Sequence, residues 1–196
     1  MYVMKKTIIL IGLLLVLPAS IFAQEKKHEF VLGYGVTTHY AIREQMADIV
    51  GLVITLGVFD AGFKSGTGAF VLGYRYSVRE KISIGLDGSY TKLKSVLKVG
   101  GEVVGNLNKH FYTIAPYVSY NYVKNGNLSM YSGIGLGYAF VKNVYTTGDG
   151  NEIVNTGEFA FHINAFGVRY GNKISAYAEA GYGYKGIMNF GVCINL

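Results

Sequence analysis

Beyond residue 68 the chain alternates between apolar and small or polar positions with a period of two. Phe70, Leu72, Tyr74, Tyr76 and Val78 share one face of an extended segment, against Val71, Gly73, Arg75 and Ser77 on the other. Ile82, Ile84, Leu86 and Tyr90 oppose Ser83, Gly85, Asp87 and Ser89 in the same way. Further on, Ile114, Val118, Tyr120 and Tyr122 oppose Thr113, Ala115, Ser119 and Asn121, and Ile134, Leu136, Tyr138 and Phe140 oppose Gly133, Gly135 and Gly137. A period of two belongs to a strand whose faces meet two environments. The pattern predicts eight strands, near 30–37, 68–78, 82–94, 109–123, 127–143, 157–170, 174–185 and 188–196. Asn125-Gly126 and Gly171-Asn172 supply residues that tolerate positive φ in the short gaps. Short gaps alternate with longer ones at 38–67, 95–108 and 144–156 until the last connection, the rhythm of an up-and-down antiparallel barrel.

The first long gap has a different period. Tyr40, Ile42, Met46, Ile49, Val50 and Val53 recur at helical spacing, with Arg43, Glu44, Gln45 and Asp48 elsewhere on the wheel. The spacing predicts a short helix over 40–56. It is either a lid across a barrel mouth or a hydrophobic docking surface for a partner or an acyl chain. A further alternative turns 50–60 into an extra strand pair and raises the count to ten.

Composition decides which strand face is wet. Charged residues are 15% of the 196, against about 25% in an average soluble domain. The 27 Gly, 17 Tyr and 11 Phe complete the picture. The smaller face carries Gly, Ser, Ala, Thr and Asn rather than the Lys and Glu of a solvated sheet. Small residues suit a narrow interior, where opposite walls share the space. The larger face is apolar and bounded by aromatics: Tyr74, Tyr76, Tyr120 and Tyr122 toward one end, Tyr90, Tyr112, Tyr138 and Phe140 toward the other. An apolar belt between aromatic girdles predicts an all-β transmembrane barrel, with the three longer gaps outside the cell.

The first 23 residues fit that destination. Lys5-Lys6, the apolar run Ile8–Leu17 and the small-residue stretch ending at Ala23 have the order of a secretory signal peptide. The expected cut lies between Ala23 and Gln24, leaving 24–196 as one barrel domain. Losing Lys5 and Lys6 lowers the formal charge from +6 by two, too little basicity to argue for nucleic acid.

With these strands, this composition and the amphipathic end Phe190, Val192, Ile194 and Leu196, the chain resembles the small eight-stranded bacterial outer-membrane barrels of the OmpA-type, OmpW-like and opacity-type group. The group usually ends in an aromatic residue, where this chain has Leu196. The resemblance implies outer-membrane lipid and lipopolysaccharide as surroundings, the barrel-assembly machinery as a partner in biogenesis, and a monomer. It implies a structural, surface-interaction or membrane-integrity role, with a small porin as the alternative. A lipid A-modifying enzyme is a third reading. Its deacylase kind uses a His followed two positions on by Ser, whereas Phe30, Ala41, Tyr112 and Asn164 follow the four His here.

No catalytic, cofactor or metal site is therefore expected. One Cys and four scattered His have no metal-ligand spacing. Gly181-Tyr182-Gly183-Tyr184-Lys185-Gly186 matches GxGxxG, but ten residues remain after it, too few for the helix and acidic residue of a dinucleotide site. Two groups remain as candidate sites. Arg75, Asp87, His162, Asn164 and Glu179 fall on inward faces and predict a polar lumen network, structural or gating. Lys92, Lys94 and Lys142 continue the outward face beyond Tyr90 and Phe140, at the height of lipopolysaccharide phosphates.

Overall fold

The computed structural model describes residues 28–54, 59–99, 102–147 and 150–196. The expected signal peptide, with its cut between Ala23 and Gln24, lies outside them. One helix, α1 (His39–Ile54), follows the first strand, β1 (His28–Val36). The rest is strand: β2 (Phe59–Gly66), β3 (Ala69–Arg79), β4 (Ile82–Val99), β5 (Glu102–Asn125), β6 (Leu128–Thr147), β7 (Gly150–Gly171), β8 (Ile174–Gly183) and β9 (Met188–Asn195).

All described pairings are antiparallel. The ring runs β4-β3-β1-β9-β8-β7-β6-β5 and closes through β4 and β5. Its circumference is eight strands, because β2 and β3 occupy successive stretches of one edge of β4. β3 pairs with Ile82–Tyr90, and β2 with Leu93–Val99 above it. The extra strand in the first gap therefore lengthens an existing stave instead of adding two, which corrects the ten-strand alternative.

Two expected loops are also corrected. The gaps 95–108 and 144–156 are largely strand, since β4 and β5 pair up to Val99↔Glu102, and β6 and β7 up to Thr147↔Gly150. The strand period is hidden there because apolar residues come in adjacent pairs, Val96-Leu97, Val103-Val104 and Ile153-Val154, and so fall on both faces. The wall is consequently uneven. β1, β3, β8 and β9 have 9, 11, 10 and 8 residues, whereas β4 to β7 have 18, 24, 20 and 22. The short strands are about the length that crosses a hydrocarbon layer at a tilt. The long ones rise beyond it by roughly ten residues, ~34 Å of strand.

The outward face is apolar around the ring. Leu32, Leu72, Ile84, Ile114, Val118, Ile134, Leu136, Ile163, Phe166, Phe190, Val192 and Ile194 are all exposed there. Cross-strand register carries one row through Phe190, Tyr34, Phe70, Tyr90, Tyr112 and Phe140, so the upper aromatics form a band around six strands. The inward face alternates large with small. Tyr117 stands between Gly85 and Gly135 in register, and a Cβ on Gly135 would collide with the Tyr184 hydroxyl.

Candidate functional site

Alternation puts Arg75, Asp87 and Glu179 inside the barrel, and the structure buries all three. Arg75 Nη2 lies 2.5 Å from Asp87 Oδ1. Glu179 reaches them through a residue absent from the expected set, Lys185. Its Nζ lies 3.0 Å from Asp87 Oδ2 and 3.6 Å from Glu179 Oε2. The Tyr184 hydroxyl donates to Asp87 Oδ2 at 2.8 Å, and the Tyr131 hydroxyl to Glu179 Oε1 at 2.9 Å. The Tyr117 ring sits between the cations, 3.8 Å from Lys185 Nζ and 4.1 Å from the Arg75 guanidinium carbon. Buried charges need such pairing, because desolvating a lone one costs several kcal/mol.

Lys185 arrives by an unusual route. β8 stops at Gly183, and the β8–β9 turn bends into the barrel. Gly183 and Gly186 have φ of 146° and 100°, a region side chains avoid. A Cβ on Gly186 would strike the Val36 carbonyl, and Ile187 N donates to that same oxygen at 2.9 Å. The turn is thus pinned to the end of β1 while Tyr184 and Lys185 fill the lumen. The expected strand 174–185 is two residues too long for this reason.

His162 and Asn164 are also buried, but neither hydrogen-bonds to the ionic cluster. The His162 ring packs against Tyr184, with centroids 5.5 Å apart, and its nitrogens have no hydrogen-bond partner among the described residues. Asn164, with its amide nitrogen turned toward them, donates to Phe166 O at 2.9 Å and Ala180 O at 3.2 Å. It braces a bulge, since the β7–β8 register shifts between Asn164 and Phe166. That bulge turns both Ala165 and Phe166 outward and brings Arg169 inside, 2.5 Å from Glu29 Oε2. This second ion pair lies toward the end of the barrel that holds both chain ends of the described region.

α1 sits in the mouth against the tall half of the wall. Tyr40 stacks on Phe111 with centroids 4.2 Å apart and planes 17° apart, and its hydroxyl lies 2.9 Å from Thr113 Oγ1. Burial pushes that phenol up to about 12. Arg43 bonds Glu158 at 2.7 Å, and Lys109 bonds Glu44 at 2.6 Å. His39 is buried beside Phe161 and Tyr182, and burial holds its pKa below the ordinary imidazole value.

Two surfaces begin at the aromatic band and rise above it. Lys92, His110 and Lys142 are direct partners across β4, β5 and β6, immediately above the Tyr90–Tyr112–Phe140 row. Lys94 is one outward step higher, opposite Asn108. The second surface is an edge. β7 pairs with β8 only from His162 onward, so Gly150–Ala160 has β6 on one side and no strand on the other among the described residues.

No protein-family model matches the chain, and no curated protein matches it either. Similar solved structures include two of Ail, the attachment invasion locus protein of Yersinia pestis. One is 14% identical over 86% of this chain and 91% of that one, with a TM-score of 0.39. The other, in complex with the heparin analogue sucrose octasulfate, is 12% identical over 86% and 93%, with a TM-score of 0.38.

Proposed function

We propose that this protein is an outer-membrane barrel that presents a projecting β-sheet for interaction with other proteins at the cell surface, and that it is neither an enzyme nor an open pore. The outward belt supports the membrane: an apolar surface that encircles the ring far exceeds the patches that soluble monomers expose. Tyr117, Tyr131, Tyr184, Arg75 and Lys185 crossing the lumen argue against open conduction. The pairing of His28 and His110 with phenols, Tyr74 at 2.6 Å and Tyr90 at 2.9 Å, offers no activated nucleophile.

The observation that carries the interaction role is the free edge Gly150–Ala160. Unpaired N–H and C=O groups along a strand are a template for an added strand. The edge stands on the long wall, with β6 behind it to hold it extended, and its Gly150–Thr156 stretch lies above the aromatic band, which meets β7 at Gly157 opposite Phe140. Its occupant is an extended segment of a partner protein, held by main-chain hydrogen bonds, with Ile153 and Val154 offering one apolar side chain to each face.

The test uses the barrel in lipid nanodiscs against displayed random heptapeptides. Successive N–H groups point to opposite edges. Of the adjacent variants Val154→Pro and Asn155→Pro, one therefore removes a donor from the open edge and the other from the β6 ladder. Selected peptides should lose about tenfold or more in affinity to the edge-side variant, a change of ~1.4 kcal/mol. Peptides that bind both variants as well as wild type reject strand addition.

A further inference from the structure

Lys92, His110 and Lys142 stand side by side on three adjacent strands, on the outward face. Directly opposed residues hold their Cβ atoms about 5 Å apart, and like charges in that position destabilise a sheet. No ion pair joins any of the three to a carboxylate among the described residues. Their row lies one outward step above Tyr90, Tyr112 and Phe140, so the groups sit where a bilayer's apolar layer gives way to headgroups. Lys94 stands one step higher on β4. The central imidazole is oriented: its Nδ1 lies 2.9 Å from the Tyr90 hydroxyl. Nε2 is thereby left for a ligand between the two ammonium groups. The surroundings of His110 are cationic or neutral from every strand: Lys92, Lys94 and Tyr90 on β4, Lys142 on β6, Asn108 and Tyr112 on β5 itself.

Three adjacent donors with excess positive charge, facing lipid at headgroup height, match one ligand chemistry. We infer that Lys92, His110 and Lys142, backed by Lys94, form a site for the phosphate of an anionic membrane lipid. The site deepens the membrane reading above and rests on it. His110 is the residue the sequence pattern did not single out, and it is the reporter. Lys92 and Lys142, directly opposite it on either side, set a positive field at its ring. A dianionic neighbour reverses the sign of that field.

The experiment titrates the four histidines by NMR in barrels inserted into phosphatidylcholine bilayers, with and without lipid A, and with inorganic phosphate as a separate arm. The His110 signal is identified by His110→Gln. Insertion is checked first, by the mobility of unheated protein on gels. Lipid A should raise the His110 pKa by about one pH unit, and the Lys92→Gln/Lys142→Gln variant should lose that rise. No rise in inserted barrels overturns the phosphate site alone. An equal rise with inorganic phosphate overturns the lipid as its source. Failure to insert overturns the membrane reading and the site with it.

Discussion

At the scale of single residues, strand parity made part of the lumen legible. Arg75, Asp87 and Glu179 fall on the small-residue face, and they are buried there. Lys185 shares the parity of Glu179, and that was the available signal. Its partner Tyr184 has the opposite parity and enters the lumen only because Gly183 and Gly186 take positive φ. Arg169 was hidden by a bulge: counted from His162 it faces outward, and Ala165 reverses the count. Glu29 lies one residue before the first expected strand. The cluster holds two carboxylates and two cations, so removing one cation leaves a buried carboxylate short of a partner. Lys185→Met should cost about 3 kcal/mol or more of unfolding free energy. Arg75→Ala should lower the urea midpoint clearly, whereas Lys92→Ala in detergent should leave it nearly unchanged. Equal midpoints for Arg75→Ala and Lys92→Ala would remove the cluster as a source of stability.

At the scale of elements, the helix was visible because its period differs from everything after it. The upper strands were not, since adjacent apolar pairs such as Val103-Val104 and Ile153-Val154 put apolar residues on both faces and erase the period of two. The helix docks through a titratable group. His39 sits in an apolar contact with Phe161 and Tyr182, with the Arg43 charge opposing its protonation and Glu158 favouring it. Its folded pKa is depressed by burial. The sign follows from linkage: the undocked helix takes up a proton near pH 6.5 while the docked one does not. Docking is therefore at full strength above about pH 6.5 and is lost progressively as the pH falls toward the depressed value. A spin label on Met46→Cys, in a Cys193→Ser background, should become more mobile below pH 6.5. His39→Phe should abolish that dependence; an unchanged pH response in His39→Phe places the titrating group elsewhere.

At the scale of the whole molecule, the low wall and the filled lumen are one arrangement. β8 and β9 end early, which frees the turn between them to fold inward instead of rising with β4 to β7. An eight-strand interior is about as wide as the side chains that fill it. One inserted turn therefore closes it, and the closure depends on Tyr184 and Lys185 more than on the width of the ring. Tyr117 lies along the wall, its hydroxyl over Gly133 of the neighbouring β6, and leaves to Tyr184 and Lys185 the space they fill. In planar bilayers the wild-type barrel should show no sustained ion current. Tyr184→Gly/Lys185→Gly keeps the ring and its outward belt but removes the side chains that reach Asp87, and it should open small, flickering steps. The steps should favour cations, because Asp87 and Glu179 then face the lumen with only Arg75 against them. Sustained current through wild type would reject the plug, and a silent double variant that still inserts would mean that the remaining tyrosines close the lumen unaided.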